Sequence, residues 1–106
     1  LLDGVVQVTD QESLAMARAL LQEEGLFVGT SCGTAVAGAL KWARAQGAAA
    51  KGMNILCVLA DSGDRYMSKL WNDVWMTENG MLDANARRLP KVTLIEGAKT
   101  PYGLKL

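Results

Sequence analysis

Six consecutive residues, Gly29-Thr30-Ser31-Cys32-Gly33-Thr34, combine three hydroxyls and a thiol between glycines at the start of a helix-like stretch. A second polar turn, Asp61-Ser62-Gly63, follows an apolar run. Hydroxyls and free N–H groups at the positive end of a helix dipole hold polar ligand groups. The same groups also serve as plain helix caps. The spacing is neither a P-loop nor a GxGxxG motif, so both readings stand at this point. Histidine is absent from the chain, which removes Ser-His-Asp and Cys-His catalysis and histidine-based zinc sites. A thiol at a helix start can be reactive, but no base accompanies Cys32, which reads as a small buried side chain. Cys57 reads as core. Asp61, Asp64 and Glu78 lack metal-loop spacing and read as solvated loop. Trp71 and Trp75, four apart, suit core or interface packing better than a ligand box.

The elements that must position these turns follow from periodicity and punctuation. "VVQV" (5–8) is a short strand candidate. Thr9 as N-cap and Glu12 at N3 form a capping box, and Leu14, Met16, Ala17, Leu20 and Leu21 make an apolar face at helical spacing. Gly25 suits the helix end. "LFVG" (26–29) predicts a second strand and residues 34–45 a helix, its small residues implying close packing on a sheet. Lys41 and Arg44 fall near its C-terminus, where cations suit the dipole. "NILCVLA" (54–60) is a continuous apolar run, as in a strand covered on both faces. Residues 61–73 predict a turn entering a third helix, with Tyr66, Met67, Leu70 and Trp71 on its inner face. The chain divides into an α/β domain over 1–82 and a linker or tail over 83–106, with a possible short strand at 92–95. The order β-α-β-α-β-α argues for parallel strands with right-handed crossovers. Ligands then sit beyond the C-terminal strand ends, where both polar turns fall.

The 106 residues suit one domain. Half are hydrophobic and three are tryptophan, generous enough that some apolar surface is expected to meet another chain or a further part of the same one. The formal net charge is zero and no basic stripe stands out, which argues against nucleic-acid binding. No segment approaches ~18 consecutive apolar residues, which argues against a membrane span. No signal-peptide pattern is visible, and two separated cysteines suit reduced thiols in the cytoplasm.

"EEGLFVGTSCGTAVAGALKWA" resembles the stretch of fold-type II pyridoxal-phosphate enzymes in which a Gly-x-Ser-x-Gly turn opens a helix. "NILCVLADSGDRYMSKLWNDVWM" is similar to their last strand and helix. Cysteine synthases and cystathionine β-synthases both carry such segments, and "SKLWNDVWMTENGML" tilts the likeness toward the latter. The resemblance covers residues 5–82 and implies part of the tryptophan-synthase-β-like fold. It also implies cofactor-binding roles. Ser31 hydrogen-bonds the pyridine nitrogen, Gly29, Thr30 and Gly33 shape its turn, and Asp61 and Ser62 form the polar turn beside the ring edge. A neutral hydroxyl need not keep that nitrogen protonated, which moderates the electron sink and suits β-elimination and replacement. Ala60 and Cys32 depart from the family, which usually has proline at the first and serine or alanine at the second.

The family's Schiff-base lysine, asparagine loop and phosphate loop match nothing in this sequence. Lys41, Lys51 and Lys69 fall outside any such motif. The chain resembles the last third of a catalytic domain, and the expectation is a piece of a β-replacement enzyme of sulfur amino-acid metabolism, not catalytic alone. Its partner would be the N-terminal part of that enzyme or a second copy in a homodimer. The alternative is a standalone, non-enzymatic α/β module that homodimerises. A thiol-dependent redox protein using Cys32 is a third reading.

Overall fold

Thr9 opens the first helix with two reciprocal bonds: its Oγ1 accepts from the Glu12 N–H at 3.2 Å, and the Glu12 carboxylate accepts from the Thr9 N–H at 2.8 Å. Helix α1 then runs Asp10–Glu24, and Gly25 closes it in the left-handed conformation at φ 70°. The N–H of Leu26 returns to the Leu20 carbonyl at 3.0 Å, satisfying an acceptor the helix end would leave open. The computed structural model describes residues 2–82. The expected tail over 83–106 and its strand at 92–95 lie outside them.

Helix α2 spans Thr30–Gln46 and is followed by one 3₁₀ turn, Gly47–Ala50. It crosses α1 where Gly33 meets Ser13 and Ala17. A Cβ at position 33 would lie 2.0 Å from the Ser13 carbonyl oxygen and 2.8 Å from the Ala17 nitrogen. Gly33 therefore serves helix–helix contact. Thr34 Oγ1 donates to Ser13 Oγ at 2.8 Å across the same crossing. Further along, Lys41 reaches the Glu12 carboxylate at 2.9 Å and the Gln7 carbonyl at 3.0 Å.

The expected third helix over 61–73 is instead a 3₁₀ turn, Gly63–Tyr66, and a short helix α3, Asp73–Glu78. Asn72 interrupts them, because its side chain accepts from the Val74 and Trp75 N–H groups at 3.0 and 3.1 Å and starts a new helix. Arg18 ties this segment to α1, donating to the Leu70 carbonyl at 2.7 Å and pairing with Asp73. Leu14, Ala17, Leu70 and Met76 are buried together between α1 and the 70–76 stretch. Leu20, Val28 and Cys32 form a second cluster between α1 and α2.

The expected parallel strands do not pair with one another among the described residues. The sheet contact present there is a single antiparallel bridge between Val28 and Ser62. The runs at 5–8 and 54–60 carry no ladder, and Leu56 is 93% and Val5 84% exposed. A strand's N–H and C=O groups need a neighbouring strand, and no such neighbour lies beside these runs in the described part. No described helix is long and apolar enough to cross a membrane.

Candidate functional site

The glycine-bracketed turn is the first turn of α2. Gly29 is its N-cap residue, and no side chain caps it. Capping by Thr30, Ser31 or Thr34 is thus not the use these hydroxyls are put to. Thr34 is spent on Ser13. Cys32 is fully buried and points at Asp61, its Sγ 3.4 Å from the Asp61 carbonyl and 3.5 Å from Oδ1. Ser31 is exposed. Thr30 and Ser31 lie on a groove of about 360 Å³ shared with Ser13, Leu14, Thr34 and Trp75. Asp10 adds a carboxylate and Met81 further apolar wall, and no lysine or arginine among the described residues lines it.

The second polar turn docks against the first through main chain. The Gly29 N–H donates to the Asp61 carbonyl at 3.2 Å, and the Gly63 N–H to the Phe27 carbonyl at 3.1 Å. Close approach forces glycine at both ends of this junction. A Cβ at 29 would lie 2.1 Å from Asp61 Oδ1 and 2.6 Å from the Tyr66 ring, and one at 63 would lie 2.7 Å from the Phe27 ring. Phe27 and Trp71 stack at 5.1 Å between centroids, and Trp71 Nε1 donates to the Gly63 carbonyl at 2.9 Å. The two tryptophans thus part company, Trp71 sealing this junction and Trp75 walling the groove.

Tyr66 is the residue that sequence reasoning missed here. Its hydroxyl donates to Asp61 Oδ2 at 2.6 Å, although its spacing suggested only a helix's inner face. The signal available was one of distance along the chain: a single 3₁₀ turn after Ser62 carries residue 66 back over residue 61. That hydrogen bond is the main cause holding the Asp61 carboxyl below its usual range, with Cys32, Arg65 and Ser31 assisting and burial opposing. The same bond pushes the Tyr66 phenol up. Asp61 is half-buried.

Of the predicted site residues, Thr30 and Ser31 face the groove and Gly29 and Asp61 meet behind the turn. Gly33 lies buried in the α1–α2 contact. Ser62 is exposed in the bridge to Val28 and does not line the groove. Cys57, expected in the core, is half-buried, its Sγ 4.0 Å from the Ala35 carbonyl. Burial pushes its thiol pKa up. Among the described residues no three His, Cys, Asp or Glu side chains cluster to hold a metal ion.

The donor chemistry tests what the groove fits. The hydroxyls of Thr30, Ser31 and Thr34 beside the Trp75 indole suit the nitrogen edge of an aromatic heterocycle, with the Asp10 carboxylate also in the lining. A phosphate calls for cations or a row of N–H groups, and no cation among the described residues lines the groove. These residues fit the ring edge of pyridoxal phosphate.

Residues 1–61 match the family described as pyridoxal-phosphate dependent enzyme. A cystathionine β-synthase of Dictyostelium discoideum is 43% identical over 83 residues, 78% of this chain and 16% of the relative. A cysteine synthase of the same organism is 40% identical over 78 residues, 74% of this chain and 20% of the relative. Cysteine synthase A of Escherichia coli (strain K12) is 43% identical over 68 residues, 64% of this chain and 20% of the relative. The chain thus spans a fifth or less of the length of these relatives.

Proposed function

The chain belongs to the pyridoxal-phosphate dependent enzymes, an α/β family, and we propose that it supplies the pyridine-side wall of the cofactor site in an enzyme of sulfur amino-acid metabolism. The observation that carries this reading is Ser31: exposed in the first turn of α2, unused as a cap, on a groove lined by hydroxyls, an indole and the Asp10 carboxylate, with no cation among the described residues. Pyridoxal phosphate, when bound, supplies an electron sink for bond cleavage at an amino acid. Ser31 Oγ–H would donate a hydrogen bond to the ring nitrogen and leave it unprotonated, the proton staying on the hydroxyl. Gly29 and Thr30 would shape the turn around that contact, and Asp61 would fix it from behind. In the whole enzyme the reaction would be β-replacement, a thiol displacing the hydroxyl, or its activated form, on serine.

Three finer statements belong with this reading. The runs at 5–8 and 54–60 are proposed as strands of a parallel sheet completed by other parts of the enzyme, in a β-α-β-α-β-α order over 1–82, with 83–106 as linker. By itself the chain is proposed to be catalytically silent. Its compartment is proposed to be the cytoplasm, where two unpaired thiols stay reduced. A second reading, a homodimer of this chain, is favoured by the 93% exposure of Leu56 in a strand-like run.

The test is a transplant. Residues 1–82 replace the matching stretch of the Dictyostelium cystathionine β-synthase, with Ser31 or with Ser31→Ala. The Ser31 chimera is expected to bind cofactor and turn over. The alanine variant is expected to lose about ten-fold or more in kcat while keeping its cofactor, the cost of one hydrogen bond to the reacting ring. A folded chimera that binds no pyridoxal phosphate, or equal kcat for the two, overturns the reading.

A further inference from the structure

Four contacts converge on Asp61 from the turn that carries Ser31 and from the loop beyond it. Its carbonyl accepts from the Gly29 N–H at 3.2 Å and its Oδ2 from the Tyr66 hydroxyl at 2.6 Å. The Cys32 thiol lies 3.4 Å from that carbonyl and 3.5 Å from Oδ1. Both carboxylate oxygens are thereby engaged, one by each side of the junction. The Tyr66 ring also closes over Gly29, leaving no room for a Cβ there. An aspartate side chain has two rotatable bonds and swings freely unless both oxygens are held. The tyrosine hydroxyl, at charge-assisted distance, removes that freedom.

We propose that Tyr66 is a positioning residue for the Ser31 turn: its hydroxyl fixes the Asp61 carboxylate, and Asp61 holds the first turn of α2 against the 61–63 loop. The clamp grips Gly29 and Cys32, the residues two before and one after Ser31. Ser31 itself stays exposed on the groove. A ligand-facing hydroxyl in a first helical turn would otherwise fray with the helix end. That the clamp serves a bound pyridine ring rests on the function proposed above; that it holds the turn does not.

The buried Cys32 thiol reports on the clamp, and Cys57, outside it, serves as an internal reference. The full chain is exposed to iodoacetamide and the two cysteine-containing peptides are followed by mass spectrometry. In Tyr66→Phe, which keeps the ring and removes only the hydroxyl, Cys32 is expected to alkylate about ten-fold faster than in the unaltered chain. The Cys57 rate is expected to stay the same. The acceleration should persist unchanged in low urea, the mark of a local opening. Asp61→Asn reads the same ratio should Tyr66→Phe fail to fold by circular dichroism. An unchanged Cys32 rate overturns the proposal, and so does a rise shared by both cysteines that grows with urea, which is global destabilisation. Amide shifts of residues 29–33 on adding pyridoxine 5′-phosphate, recorded alongside, separate the two ideas. A turn that ignores the ligand defeats the proposed function while the alkylation ratio still decides the clamp.

Discussion

Asp61 and Tyr66 share one hydrogen bond, and that bond shifts both groups in directions with opposite consequences for stability. The Asp61 carboxyl titrates below its usual range in the folded chain, chiefly because Tyr66 donates to it. Its contribution is therefore present above the unfolded carboxylate pKa and lost as pH falls through the lower, folded one. Tyr66 titrates above its usual range because the neutral phenol is the donor. Its contribution is present below the unfolded phenol pKa and lost as pH rises through the folded one. Urea midpoints across pH are expected to show both limbs in the unaltered chain. In Asp61→Asn the acid limb should shrink and the alkaline limb should weaken with it. Two unaltered limbs in that variant would mean the bond does not couple them.

The two ends of α1 were legible in the sequence, because Thr9, Glu12 and Gly25 each satisfy groups of their own neighbours. The start of α2 was misplaced by four residues, at Thr34 instead of Thr30. Gly33 looks like turn punctuation in one dimension, while its purpose is room for the Ser13 carbonyl of another helix. Tyr66 was invisible as a site residue for a similar reason: its partner Asp61 is reached only once the 3₁₀ turn has formed. The turn carrying Ser31 stands out as a candidate in the sequence because its hydroxyls and glycines are local signals. Strand pairing was not, because a ladder depends on a second segment. The apolar runs at 5–8 and 54–60, with Val58 74% exposed, therefore make a prediction of their own. Light scattering on the chain alone should show association rising with concentration across the micromolar range. A strictly monomeric species throughout would contradict the edge pairing proposed for it.

At the level of the chain, the described residues divide between well-anchored turns and helices and the exposed apolar runs at 5–8 and 54–60. Arg18, Leu70 and Met76 hold α1 to the 70–76 stretch, and the Phe27–Trp71 pair seals the junction of the two turns. These contacts lie within the chain, so they hold the Ser31 turn in place by themselves. The groove carries hydroxyls and, among the described residues, no cation, which agrees with the proposal that it meets only the ring edge of the cofactor. Affinity for the isolated ring should accordingly be weak but localised. The measurement to make is a ¹H–¹⁵N spectrum of the full chain titrated with pyridoxine 5′-phosphate, whose alcohol cannot form imines with the lysines. Shifts concentrated at residues 29–34 and 61–63, and abolished by Ser31→Ala, are the expected result. Shifts spread over the surface, or an unresponsive 29–34 turn, would contradict the assignment of Ser31 to the pyridine edge.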